Sequence, residues 1–97
     1  MFTIEDHGDG VFRLGGRLDA SQVEAAEATL GGAAGAVTLD LAGLEYIASA
    51  GISVVLALYK RLHASGGTLK MTNPTPHVYN VFKYAGLDQV LNIQADA

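Results

Sequence analysis

The sequence predicts an α/β fold with a small, mostly parallel or mixed sheet of four to five strands and three to four helices. β-prone runs alternate with helix-patterned stretches along the 97-residue chain, an order that favours right-handed crossovers in a largely parallel sheet. The first two β-prone runs are separated only by a glycine-rich turn, which favours an N-terminal antiparallel hairpin. The length is that of one domain, so residues 1–97 are predicted to form a single domain.

The hairpin strands are predicted at Phe2 to Asp6 and at Val11 to Leu14. The turn between them, His7 to Gly10, contains the glycine and aspartate residues that tight hairpin turns require. Gly15 and Gly16 are predicted to end the second strand, because paired glycines are typical of loops.

A short alanine-rich helix is predicted next, ending near Leu30 where a glycine-rich stretch begins. Two overlapping capping boxes provide start signals for it, Asp19 with Gln22 and Ser21 with Glu24. The sequence does not decide between them, so both interpretations stay open.

Val37 to Leu41 is predicted as a buried strand, and Ala42 to Ser49 as the connection to a long helix that begins at Ala50. Apolar residues recur along this helix at a spacing that places them on one face: Ile52, Val55, Leu56, Tyr59 and Leu62. The run Ser65 to Gly67 is predicted to end the helix.

The C-terminal part is predicted to contain a strand, a helix and one short last element. Thr68 to Thr72 has strand character. Pro76 is well placed in the first turn of the helix, and Gly86 is predicted to end it. Val90 to Ile93 is either a strand or a helix.

Composition and charge disfavour several classes of function. The chain has no cysteine, which excludes disulfides, thiolate metal sites and a cysteine nucleophile and fits a cytoplasmic protein. The net charge is −4 and the six lysines and arginines are scattered, so the basic surface of a nucleic-acid-binding protein is missing. No apolar run of about 18 residues indicates membrane insertion, and the N-terminus lacks the apolar segment of a signal peptide.

No pattern in the sequence predicts catalysis, a metal or another cofactor. The glycine-rich stretches lack the arrangement of a nucleotide-binding loop. The three histidines are far apart and lack metal-ligand spacing, and His63 is predicted to lie on the apolar side of its helix. Ser49 is flanked by alanines rather than by the G-x-S-x-G motif of a serine hydrolase. The chain is therefore predicted not to be an enzyme.

Ser49 stands where a strand, a loop of small residues and a helix start meet. One interpretation makes it an ordinary N-cap, whose oxygen accepts an amide N–H of the first turn. The other makes it a phosphorylation site, since a phosphate there adds about −1.5 to −2 charges beside the positive end of the helix. The small residues Ala48, Ala50 and Gly51 would let another protein approach the hydroxyl closely. The residues alone leave both interpretations open.

The residues around Ser49 resemble a family motif, Asp-Leu-Ser-x-(Leu/Val)-x-(Phe/Tyr)-(Met/Ile)-Asp-Ser-(Ser/Thr)-Gly-(Leu/Ile). Eight positions match it: Asp40, Leu41, Leu44, Tyr46, Ile47, Ser49, Gly51 and Ile52. Further matches lie upstream at Gly16 to Asp19 and downstream at Gly66 to Leu69 and Pro76 to Leu87. Over nearly its whole length the chain resembles the STAS domain of bacterial anti-anti-sigma factors, also called anti-sigma factor antagonists.

The resemblance implies a single STAS-type domain that works by partner switching. In that scheme the unphosphorylated domain binds an anti-sigma factor that is also a GHKL-type serine kinase, and the sigma factor is released. Phosphorylation of the serine that matches Ser49 breaks the complex, and a PPM-type phosphatase restores it. Asp19 matches an acidic residue of the partner-facing surface. We expect Ala48, Ala50, Gly51 and Ser53 to contribute to the same surface.

Two departures from the motif favour a second hypothesis. The motif aspartate before the acceptor is Ala48 here, and the hydroxyl residue after it is Ala50. These changes remove a charge and a hydrogen-bonding group beside Ser49. The alternative is a constitutive STAS subunit of a transporter or another regulatory assembly, in which Ser49 is only a helix cap.

Overall fold

Five strands form one sheet in the order in which they occur in the chain. The computed structural model describes residues 1–94. The strands are β1 (Phe2–Asp6), β2 (Val11–Leu18), β3 (Ala36–Ile47), β4 (Thr68–Thr72) and β5 (Asn92–Gln94). β1 pairs with β2 in antiparallel orientation and all later neighbours are parallel. The predicted α/β fold with an N-terminal hairpin is confirmed.

Three α-helices connect the parallel strands of the described chain: α1 (Val23–Leu30), α2 (Ser49–Ala64) and α3 (Pro76–Tyr84). Two short 3₁₀ turns, Ala20–Gln22 and Leu87–Gln89, precede α1 and β5. The last predicted element, Val90 to Ile93, overlaps β5, so the strand interpretation is the correct one.

One face of the sheet is buried and the other carries polar side chains. Buried residues of the strands and helices form one core, with Leu14, Leu39, Met71 and Phe82 almost fully enclosed. On the polar face the Asp40 carboxylate accepts a hydrogen bond from Ala42 N and lies 3.4 Å from Arg13 Nε. That ion pair joins β2 and β3.

β2 does not end at its glycines, so that prediction is wrong. The strand continues through Gly15 and Gly16 to Leu18. Gly16 has a φ of 80°, and a side chain there would collide with the carbonyl oxygen of Met1. The glycine pair therefore lets β1 approach β2 closely while the strand goes on, because glycine alone adopts this backbone without strain.

β3 is also longer than predicted, since residues 42 to 47 continue the strand instead of forming a connection. Its pairing with β2 shifts twice: the partner of Arg13 is Asp40, but that of Gly15 is Gly43, and a second shift precedes Arg17. Each shift inserts one extra residue into β3, as a β-bulge does. Leu44 and Ile47 do not follow the in–out alternation of a regular strand. The bulges nevertheless turn both side chains into the core.

Neither predicted capping box forms. The Asp19 carboxylate accepts hydrogen bonds from Ser21 N at 3.0 Å and Ser21 Oγ at 2.6 Å, and thereby caps the 3₁₀ turn Ala20–Gln22. α1 starts later, at Val23, without a side-chain cap. Asp19 therefore caps the 3₁₀ turn that precedes the helix instead of the helix itself.

Candidate functional site

The site lies where β2 and β3 end side by side. Ala48 N donates a hydrogen bond to Leu18 O at 2.9 Å, which joins the residue after β3 to the last residue of β2. Asp19 follows β2 and Ser49 follows β3, so both lie at the same end of the parallel pair. The sheet topology therefore brings together two residues that the sequence singled out separately.

Ser49 is not the N-cap of α2, which corrects the capping interpretation. The N-cap is Ala48, with extended backbone angles and no side-chain hydrogen bond. Ile52 N donates to Ala48 O at 3.0 Å and closes the first helical turn. Ser49 is thus the first residue of the helix, and its side chain is exposed.

The first turn of α2 presents backbone N–H groups at a positively polarised helix end. The first N–H groups of any helix lack acceptors within it, and here the methyl group of Ala48 supplies none. The aligned peptide dipoles make this end of the 16-residue helix favourable for negative charge. A phosphate on Ser49 would lie at the end of α2 where its charge destabilises the helix least.

Gly51 lies beneath this surface, in the buried part of α2. A Cβ built there would be 2.8 Å from Leu18 Cγ, 2.8 Å from Ile47 Cγ1 and 2.9 Å from Leu18 O. The glycine lets the helix rest directly on the ends of β2 and β3. Its role is to support the site, since little of it reaches the surface.

Ser53 is exposed one helical turn beyond Ser49. Its hydroxyl donates to Ser49 O at 3.1 Å. Residues four apart lie on the same helix face, so the two serines form one exposed strip. Ala48 and Ala50 flank Ser49 and are half-buried, which leaves the serine as the most accessible of the three.

Asp19 provides a fixed negative charge at the same end of the β2–β3 pair as Ser49. The hydrogen bonds from Ser21 lower the pKa of the Asp19 carboxyl below its ordinary value, and the nearby Arg17 charge lowers it further. Both hydrogen bonds favour the charged form. The carboxylate is therefore ionised at neutral pH and its orientation is set by the turn.

A row of three side chains at this end of the sheet was missed by the sequence analysis. The guanidinium carbon of Arg17 lies 4.3 Å from the centroid of the Tyr46 ring, and that ring stacks on His77 with centroids 6.0 Å apart. We call these residues the Arg17 row. Tyr46 was considered only as a motif position, and nothing in the sequence places His77, from α3, beside it.

The three histidines occupy separate places. His7 lies 3.3 Å from Glu5 on the hairpin, and His77 belongs to the Arg17 row. His63 is exposed and stacks on Tyr59 with ring centroids 5.8 Å apart, so its predicted place on the apolar side of α2 is wrong. Among residues 1–94 no group of three or more potential metal-ligating His, Asp or Glu side chains is present.

No helix within residues 1–94 is both long enough and apolar enough to span a bilayer.

Comparisons with known proteins agree with this architecture. The profile of the family described as Mlab, STAS domain, matches residues 2–93. The anti-sigma F factor antagonist of Lysinibacillus sphaericus is 37% identical over 82 residues, which span 79% of this chain and 70% of that protein.

Two solved structures of SpoIIAA have the same fold. The unphosphorylated anti-sigma factor antagonist superposes with a TM-score of 0.77 and 29% identity over 96% of this chain and 87% of its own. The phosphorylated form, described as a Bacillus cell fate determinant, superposes with a TM-score of 0.69 and 25% identity. The superposition covers 96% of this chain and 90% of that structure. On the profile match and the sequence identity, the chain belongs to the STAS domain family.

Proposed function

We propose that this protein is an anti-sigma factor antagonist that works by partner switching at Ser49. The unphosphorylated form binds an anti-sigma factor that is also a GHKL-type serine kinase. Phosphorylation of Ser49 separates the two proteins, and a PPM-type phosphatase reverses it. The observation that carries the proposal is the exposed Ser49 hydroxyl at the start of α2, at the end of the sheet where Asp19 also lies. The similarity to a protein solved in both phosphorylation states supports it.

The proposed switch acts on the surface and leaves the fold intact. A phosphate on Ser49 adds about −1.5 to −2 charges, which the helix dipole and the free N–H groups at the start of α2 stabilise. The same charge adds to that of the Asp19 carboxylate at this end of the sheet, so the local surface becomes more acidic. A partner that fits a neutral hydroxyl there is repelled by charge and by size.

The proposed contact surface consists of Asp19, Ala48, Ser49, Ala50 and Ser53. The alanines leave space for close approach, and the two serines offer hydroxyl groups on one strip of α2. Gly51 keeps this strip in place from below. No residue of this surface performs chemistry on a substrate in the proposal, so the protein is a binding partner and is modified by its kinase. We place it in the cytoplasm with that kinase.

The alternative is a constitutive subunit of a larger assembly. The observation that favours it is the pair Ala48 and Ala50, which replaces the aspartate and the hydroxyl residue beside the acceptor. In that case Ser49 stays unmodified, and a phosphate-like charge at that position has no effect on the assembly.

The experiment begins with intact-mass measurement of the protein purified from its own cells, with and without phosphatase treatment, and with fragment mapping. The anti-sigma factor is then identified by co-purification, and its ability to hold a sigma factor is reconstituted from purified components. We expect a phosphate on Ser49, tight binding of the unphosphorylated protein and loss of binding by Ser49→Asp.

Ser53→Asp is the matched control, since it places the same charge one turn along the strip. It should weaken binding less than Ser49→Asp does. Equal affinity of the wild type and Ser49→Asp for the anti-sigma factor, with unchanged circular dichroism, would disprove the switch. Absence of phosphate under all growth conditions would favour the constitutive subunit.

A further inference from the structure

We infer that the Arg17 row is a docking point for a carboxylate group of the anti-sigma factor, next to the Ser49 surface. This inference rests on the proposed function, because it concerns the same partner.

Arg17 is held in place, and among residues 1–94 it forms no salt bridge. Its guanidinium lies over Tyr46, whose ring is in turn stacked on His77. Arg17 and His77 are exposed. Within residues 1–94, the close contacts between basic and acidic side chains are His7 with Glu5 and Arg13 with Asp40. No carboxylate oxygen of these residues lies within 4.0 Å of an Arg17 nitrogen.

The free guanidinium suits one kind of ligand. It presents parallel N–H donors in a planar fork, and this fork matches the two oxygens of a carboxylate. The nearby Asp19 carboxylate accepts both Ser21 hydrogen bonds on Oδ1 and forms no salt bridge with Arg17, although the two charges interact at longer range. Because the aromatic contact orients the side chain before binding, less conformational freedom is lost when a partner docks.

The position of the row connects it to the Ser49 surface. Arg17 pairs with Tyr46 in the sheet, and the next pair is Leu18 with Ile47. Ala48 is bonded to that same Leu18. A stable protein interface needs roughly 20–30 residues from each partner, which is more than the five residues around Ser49 supply. The Arg17 row is the cationic and aromatic surface directly beside them.

The net charge of the protein restricts where an acidic group of the partner can dock. The chain carries a net charge of −4, so most of its surface repels an acidic segment. The exposed guanidinium of Arg17, which has no salt bridge among residues 1–94, gives such a segment a favourable position next to the Ser49 surface. Complementary charge of this kind sets orientation and specificity.

The test compares Arg17→Gln with Lys60→Gln, using the purified anti-sigma factor and the unphosphorylated protein. Lys60 is exposed on α2, and each variant lowers the net charge by one. We expect Arg17→Gln to raise Kd roughly tenfold or more and to weaken its salt dependence, as loss of a close interfacial charge pair does. Lys60→Gln should change Kd less than about twofold.

The failures are distinguishable. A wild-type protein that binds no anti-sigma factor disproves the proposed function and, with it, this inference. A wild type that binds while both variants bind equally well disproves the Arg17 row alone. Vesicles of phosphatidylglycerol serve as the second probe. If Arg17→Gln abolishes binding to them and leaves the anti-sigma factor affinity unchanged, the row binds lipid phosphate and the inference is overturned.

Discussion

Gly51 lies so close to Leu18 that a Cβ on the glycine would be 2.8 Å from Leu18 Cγ. The contact joins the first turn of the helix that carries Ser49 to the end of the strand that leads to Asp19. The relative position of the two site residues therefore depends on a glycine that lies underneath them.

Gly51→Ala is expected to destabilise the protein by about 1–3 kcal/mol, the usual cost of forcing extra atoms into a packed interior. Gly32→Ala is the matched control, because a Cβ at Gly32 has no neighbour within 4 Å. It should leave the free energy of unfolding within about 0.5 kcal/mol of wild type. Urea denaturation measures both, and equal stability of the two variants would contradict the packing argument.

Ser49→Ala is expected to change the free energy of unfolding by less than about 0.5 kcal/mol, since Ser49 is not the N-cap. Thr75→Ala is the comparison, because Thr75 Oγ1 accepts from Val78 N and caps α3. That variant should lose about 1 kcal/mol. Thermal unfolding of both decides the matter, and a loss at Ser49 as large as that at Thr75 would restore the capping role.

Ala48→Asp is expected to stabilise the protein by about 1 kcal/mol, because it supplies the side-chain acceptor that α2 lacks. Ala48→Asn separates the cap from the charge: its gain should not depend on salt, whereas part of the aspartate gain should fall as salt is added. Denaturation at low and high ionic strength measures this. No gain from either variant would show that the first turn is satisfied in another way.

Asp19 makes stability depend on pH. Its pKa is lower in the folded protein than the ordinary value of 3.8, so the unfolded chain takes up the proton first. The contribution of Asp19 is fully present above that ordinary value and is lost as pH falls through the folded-state pKa. We expect the wild type to lose more stability on acidification than Asp19→Asn does. If the free energy of unfolding falls equally with decreasing pH in the wild type and in Asp19→Asn, this prediction is wrong.

Arg61 supports the end of α1. Its Nη2 donates to Leu30 O and its Nη1 to Ala33 O, both at 2.8 Å. Arg61→Met is expected to cost about 1–3 kcal/mol, because it removes both of these hydrogen bonds and leaves Leu30 O only the one from Ala33 N. Lys60→Met, at the adjacent exposed position, should cost less than about 0.5 kcal/mol. Urea denaturation measures both variants, and we expect a lower midpoint for Arg61→Met than for Lys60→Met.

Periodicity predicted the fold class and most elements but not the length of β3. Val37, Leu39 and Leu41 follow the alternation of a strand, whereas Leu44 and Ile47 follow at intervals of three. Those intervals are absorbed by two bulges, and bulges depend on the neighbouring strand. A rule based on local alternation therefore ends the strand too early.

The candidate site was predicted in composition but not in geometry. Ser49, Asp19 and their small neighbours were recognised from the motif, and the parallel sheet does bring them to one end. The offset of one residue at the start of α2 was missed because an alanine occupies the N-cap. The Arg17 row depends on α3 returning to β3, a long-range contact without a local signal.

The backbone hydrogen bond from Ala48 N to Leu18 O has a consequence for the diversity of such proteins. It fixes the start of α2 through main-chain atoms, so the path of the chain there does not depend on a capping side chain at position 48. We expect that duplicated copies of this domain in one cell can diverge at such positions without losing stability. Each copy can then acquire its own partner, which keeps parallel signalling routes insulated from one another.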